Sequence, residues 1–176
     1  RAMADAQIIV SKREQGLNKE FGSKEKNLKI SFAGLDDSPE KTLTEKSQTA
    51  LVGLLRTIPH GVLKYSHDVE GLVETSNNLA AVRCDGGNYI IISSTRSSIS
   101  DALESQRERI AIMSKVYGAK VEQDEAYPGW APNLDSSILE ITTKIYSEML
   151  GGEPNVCAIH AGLECGVIGE KINGMD

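Results

Sequence analysis

The segment His160-Ala-Gly-Leu-Glu-Cys-Gly166 places an imidazole, a carboxylate, a thiol and two glycines within seven residues. Such groups ligate metals, move protons or attack carbonyls, and glycine lets backbone N–H groups come close to a ligand. The apolar run Val156-Cys-Ala-Ile159 just before it predicts a buried strand with a polar loop at its end, a usual place for a site. Zinc is the first chemistry to weigh, and it needs three or four converging ligands. His160, Glu164 and Cys165 share one short loop, whereas His60 and His67 lie far off. There is no His-Glu-x-x-His and no Cys-x-x-Cys, so a complete zinc site within this chain is not expected. A nucleophilic Cys165 with His160 as its base would lack a third group to orient the pair. Buried structural thiols are the simpler reading of both Cys157 and Cys165.

Arg96 is the other residue whose type and place suggest chemistry. It closes an apolar run on the same face as Ile90 and Ile92, followed by Ser97-Ser98. There its planar fork could meet a carboxylate in two parallel hydrogen bonds. On pattern alone, a surface ion pair with a helix acid is the commoner fate. Tyr127-Pro-Gly-Trp130 reads as a stiff linker anchored by the chain's one tryptophan, or as a wall beside a ligand. His60, after Pro59, suits a helix end where it would favour the negative pole of the dipole. The acidic run at 122–125 fits a solvated edge strand.

Composition narrows the classes. The 176 residues carry a net charge of −6, with 40% hydrophobic, 25% charged and 5% aromatic residues. That describes a globular chain with an aliphatic core, not a nucleic-acid surface, which wants a basic face. No apolar run approaches the roughly 20 residues that span a bilayer, and the N-terminal residues lack the apolar stretch of a secretory signal. A first residue of arginine suits a piece of a longer polypeptide. Three widely spaced cysteines, Cys84, Cys157 and Cys165, fit reduced thiols and a cytoplasmic location better than a disulfide framework.

These residues need elements to position them. Residues 6–10 predict a short strand, 11–26 a loop or weak helix, and 27–33 a half-buried strand with Leu28, Ile30 and Phe32 on one face. Thr42, with Glu45 three residues on, predicts a helix start. Leu51, Leu54 and Leu55 form its buried stripe, and the segment at Ile58-Pro59 ends it. Residues 72–83 and 88–95 predict a hairpin turned at Gly86-Gly87. A helix is expected at 101–117, with Leu103, Ile110, Met113 and Tyr117 inward and Gly118 as its cap. A strand at 120–126 and a stiff loop at 127–133 follow. Asp135 then caps a last helix that buries Ile138, Ile141, Ile145 and Met149 and stops at Gly151-Gly152. The expected class is α+β: an antiparallel sheet with helices on one face, then a short α/β piece in a different layer.

Four segments together resemble the aminoacyl-histidine dipeptidases, the Xaa-His dipeptidases also called peptidase D. They are Val73-Glu-Thr-Ser-Asn-Asn78, Arg96-Ser97, Tyr127-Pro-Gly-Trp130 and the 160–166 loop, in the same order and at similar separations. Asn18-Lys-Glu-Phe, Glu25-Lys-Asn-Leu28 and Thr57-Ile-Pro-His-Gly-Val62 fit as well. The resemblance implies a dinuclear zinc exopeptidase whose catalytic α/β domain is interrupted by an α+β lid domain. Residues 1–126 then resemble the second part of the lid, and 127–176 the start of the return into the catalytic domain. Arg96 matches the lid arginine that grips the substrate's C-terminal carboxylate, and Gly162 and Glu164 match the loop lining the substrate pocket. The family's two zinc ions activate a bridging water, with a glutamate as general base. Its His-x-Asp segment, glutamate pair and further aspartate precede the lid, and its last zinc histidine follows beyond residue 176. None is in this chain, which is therefore expected to hold no catalytic residue and to be inactive alone.

The implied partners are a dipeptide and the remainder of the same polypeptide, with no nucleic acid and no membrane; an exposed sheet edge would suit a homodimer. The competing reading is a stand-alone α+β module for binding or oligomerisation. A cysteine hydrolase acting through Cys165 is a third, and would require a thiol that alkylates rapidly at neutral pH.

Overall fold

A computed structural model describes residues 2–34, 41–160 and 164–172, which divide into two units, Arg1–Thr42 and Leu43–Asp176. In the first unit, Ala2–Phe21 is one helix, α1. The strand expected at 6–10 gives way to it, and of the loop or weak helix expected at 11–26 the helix takes the residues up to Phe21. Ile8, Ile9 and Val10 are too short a β-favouring run to overrule the alanine, lysine, glutamine and glutamate around them. Asn18 closes the helix, its Nδ2 donating to the carbonyls of Glu14 at 3.0 Å and Leu28 at 3.3 Å. Residues 27–33 alternate as a strand should but form none, because no described strand pairs with them, and Phe32 is exposed.

The second unit holds the sheet. Helix α2, Glu45–Thr57, starts two residues later than expected. Thr44 rather than Thr42 is its cap, with Oγ1 accepting from the Ser47 amide at 3.2 Å. Of the expected stripe Leu54 is buried while Leu51 and Leu55 are half-buried, and the stop before Pro59 stands as read, with Ile58 buried. The chain then enters a strand that the sequence pattern did not disclose, β1 (Gly61–Tyr65). It pairs antiparallel with β2 (Val73–Asp85), which pairs with β3 (Asn88–Ser97), in the order β1-β2-β3. The β2–β3 hairpin closes through Gly86 and Gly87 at φ 54° and 83°, between the facing pair Asp85 and Asn88. Both turn residues need positive φ, which is why glycines stand there.

A bulge at Ala80 shifts the β2–β3 register between Leu79 and Ala81. His60 serves this bulge and not a helix dipole: its Nδ1 accepts from the Leu79 amide at 3.1 Å. On the covered face, Asn77 is 1% exposed. Its Oδ1 accepts from Ser93 Oγ at 3.0 Å and Thr95 Oγ1 at 2.7 Å, and its Nδ2 donates to the Pro59 carbonyl at 2.7 Å. One amide thus ties the segment after α2 to both β2 and β3. Helix α3, Ser100–Val116, packs on β3 and meets α2, burying Leu103. The architecture is α+β, an antiparallel sheet carrying helices.

Downstream of α3 the expectations fail more often. No strand forms at 120–126; instead Arg107 Nη2 donates to the Asp124 carbonyl and Gln123 Nε2 to the Arg107 carbonyl, holding the segment along α3. Helix α4, Ser137–Leu150, is capped by Ser136, not Asp135, with Oγ accepting from the Leu139 amide at 3.1 Å. Ile138, Ile141, Ile145 and Met149, expected to be buried, are 49–76% exposed. The helical period is present, but the stripe is not the buried face it was expected to be. Residues 156–159 are likewise not a buried strand, with Val156 and Ile159 exposed. Helix α5, Glu164–Lys171, ends the described chain. No helix among the described residues is long and apolar enough to cross a membrane.

Candidate functional site

Arg96 is the last but one residue of β3, and its register partner across the sheet is Ser76 of β2. The strand ends around this pair are pinned. Thr75 Oγ1 and Ser97 Oγ share a hydrogen bond of 2.9 Å, and the Ser98 amide donates to the Glu74 carbonyl at 3.1 Å. Glu74 is itself buried and paired with Lys64 Nζ at 2.8 Å. Arg96 therefore stands on a rigid base, while its side chain lies on the exposed face with Ile90 and Ile92, as the alternation required. Among the described residues it makes no hydrogen bond or ion pair, so the surface salt bridge weighed above is not formed.

The return of the chain brings a second group here. His160, 84 residues beyond Ser76, places Nε2 2.7 Å from Ser76 Oγ. Burial and then the positive charge of Arg96 hold the imidazole below its ordinary range, partly offset by the Val73 backbone. Near neutral pH the ring is uncharged. This histidine was set aside in the sequence because no metal role fitted it; its partner in β2 could not be read from spacing.

The Tyr127–Trp130 stretch completes the surroundings. A Cβ built on Gly129 would lie 2.5 Å from the Ser98 carbonyl oxygen, so the two backbones are in direct contact. Start-of-α5 residue Gly166 lies against the same stretch, 3.3 Å from the Pro128 oxygen and Trp130 Cβ by the same construction. The stretch is thus a wall beside the end of β3. Glu164 is exposed at the first turn of α5, and Gly162 lies outside the described residues. Cys84, Cys157 and Cys165 are all exposed free thiols, which corrects the reading of Cys157 and Cys165 as buried: none of the described residues packs over them closely enough to bury them.

The chemistry available is recognition of an anion by a guanidinium that has no partner among the described residues, next to a neutral imidazole and a hydroxyl. The two zinc ions implied by the resemblance find no ligand set here. Among the described residues no group of three or more His, Cys, Asp or Glu side chains converges.

Comparison with known proteins places this arrangement. No family model matches the chain. It is 32% identical over 168 residues to the cytosol non-specific dipeptidase of Escherichia coli (strain K12), an alignment covering 96% of this chain and 34% of that protein. The crystal structure of the aminoacylhistidine dipeptidase from Vibrio alginolyticus superposes with a TM-score of 0.86 at 28% identity, again over 96% of this chain and 34% of the other. The chain spans about a third of the length of the proteins it matches. It is similar to one part of these two dipeptidases.

Proposed function

We propose that this chain forms part of a zinc-dependent dipeptidase and that Arg96 receives the C-terminal carboxylate of the dipeptide. In this reading residues 1–126 belong to a lid and 127–176 begin the return to a catalytic domain, with the two metal ions and the general base supplied by other parts of the polypeptide. The observation that carries it is the guanidinium of Arg96, without a partner among the described residues and held at a pinned strand end near His160 and the Tyr127–Trp130 wall. A single arginine fork on a terminal carboxylate selects an exopeptidase substrate, since an internal peptide bond offers nothing there to hold. The name of the bacterial relative favours a cytosolic location and a dipeptide substrate, and Glu164 stands on the helix that approaches the wall.

The test is a titration of the chain with Ala-His and with its C-terminal amide, followed by amide NMR. Ala-His should shift residues 75–77 and 95–98, and the amide should not. Arg96→Ala should weaken the response on the order of ten-fold, the worth of one charge-assisted contact partly open to water. Equal binding of acid and amide would overturn the assignment. Hydrolysis of Ala-His by the 176-residue chain with added zinc would overturn the division of labour.

A further inference from the structure

Resting on the assignment of Arg96 above, we propose that His160 is a positioning residue of the carboxylate site, holding the returning chain on Ser76 and coupling carboxylate binding at Arg96 to uptake of a proton. Three observations meet in it. Ser76 is the register partner of Arg96. His160 Nε2 is 2.7 Å from Ser76 Oγ, a contact that joins the sheet to a segment 84 residues away. The guanidinium of Arg96 acts on the ring electrostatically and makes no ion pair of its own among the described residues.

Arg96 of β3 is the charge that reaches the ring; on the strand that bears Ser76, Glu74 is paired with Lys64 of β1, and Arg83 and Asp85 lie toward the other end of β2. Glu74 and Lys64 neutralise each other, and Arg96 is the charge that shifts the imidazole. With the site empty, burial and the arginine both disfavour the imidazolium. A carboxylate on Arg96 cancels the arginine's share, so the ring binds a proton more readily when the ligand is bound. Linkage then requires the reverse: the carboxylate binds more tightly as pH falls through the range in which the bound form is protonated and the free form is not. Above that range the ring is neutral in both states and the coupling disappears.

The experiment uses the 176-residue chain with labelled histidine rings and glycylglycine as the probe, since both its charged groups titrate outside the imidazole window. His160 should titrate below the ordinary imidazole range in the free chain and move upward when glycylglycine saturates, and glycylglycine amide should leave it in place. Arg96→Gln should raise the free titration and abolish the response. Affinity for glycylglycine should increase between about pH 7.5 and about pH 5.5 in the parent chain. His160→Leu should lower affinity about five-fold, and His160→Gln, which keeps a hydrogen-bonding group for Ser76, should restore most of it while remaining flat with pH. Shifts at residues 95–98 without movement of His160, or a pH dependence that survives in His160→Gln, overturn the proposal and leave the Arg96 assignment standing. Absence of both responses overturns the two together.

Discussion

Replacing Asn77 by alanine should lower the stability of the sheet unit by about 3 kcal/mol, the cost of leaving several buried polar groups without partners. The amide is 1% exposed and satisfies three groups at once: the Pro59 carbonyl, Ser93 Oγ and Thr95 Oγ1. Truncation removes the bonds and leaves the donors and the acceptor where water does not reach them easily. A urea unfolding curve should show the midpoint shifted down by roughly 1–2 M at unchanged slope. Adding Thr95→Val to Asn77→Ala should recover part of the loss, because it deletes one of the orphaned hydroxyls, and the double-mutant cycle measures that coupling. A midpoint within experimental error of the parent chain would mean that the amide is not what ties the segment after α2 to the strands.

Gly129→Ala should unseat the Tyr127–Trp130 wall at a cost of about 2 kcal/mol, within the usual range for forcing an extra methyl into a packed site. The new carbon would stand 2.5 Å from the Ser98 oxygen, 2.7 Å from the Ser98 carbon and 3.2 Å from the Ser97 oxygen. All three are backbone atoms of the pinned strand end, so no side chain can swing aside to make room. The displaced wall should carry Gly166 with it, since that residue leans on Pro128 and Trp130. The readout is a local one: the amide signals of Ser97, Ser98 and Gly166 should move together, with those around the Gly86-Gly87 turn unchanged. A variant with all three signals at their parent positions would show that the contact is dispensable.

How far the residues announced this structure depends on what each signal measured. The hairpin was plain because two glycines between β-favouring runs have one common use, and the helix at α3 because its inward residues recur at helical spacing. Strand β1 was hidden: Val62-Leu-Lys-Tyr65 is too short to show a period and owes its conformation to pairing with β2. The opposite error occurred at 27–33, where alternation was present, and at 120–126; neither has a partner strand among the described residues, and a strand without a neighbour has no ladder to join. The helix at α1 reversed a local reading because propensity summed over 20 residues outweighs three β-branched ones. Of the site, Arg96 was legible from its place at the end of an apolar run. The Ser76–His160 contact was not, since a hydrogen bond across 84 residues leaves no mark in spacing.

The apolar stripe of α4 has a thermal consequence. Ile138, Ile141, Ile145 and Met149 keep 49–76% of their surface in contact with water. Water around such groups carries excess heat capacity, which is released when they are covered. Any body that seats itself on this helix will announce its arrival calorimetrically, through a binding enthalpy that grows more negative with each degree of warming. The slope of that enthalpy against temperature would measure the area covered, even where the covering body contributes no hydrogen bond and no charge.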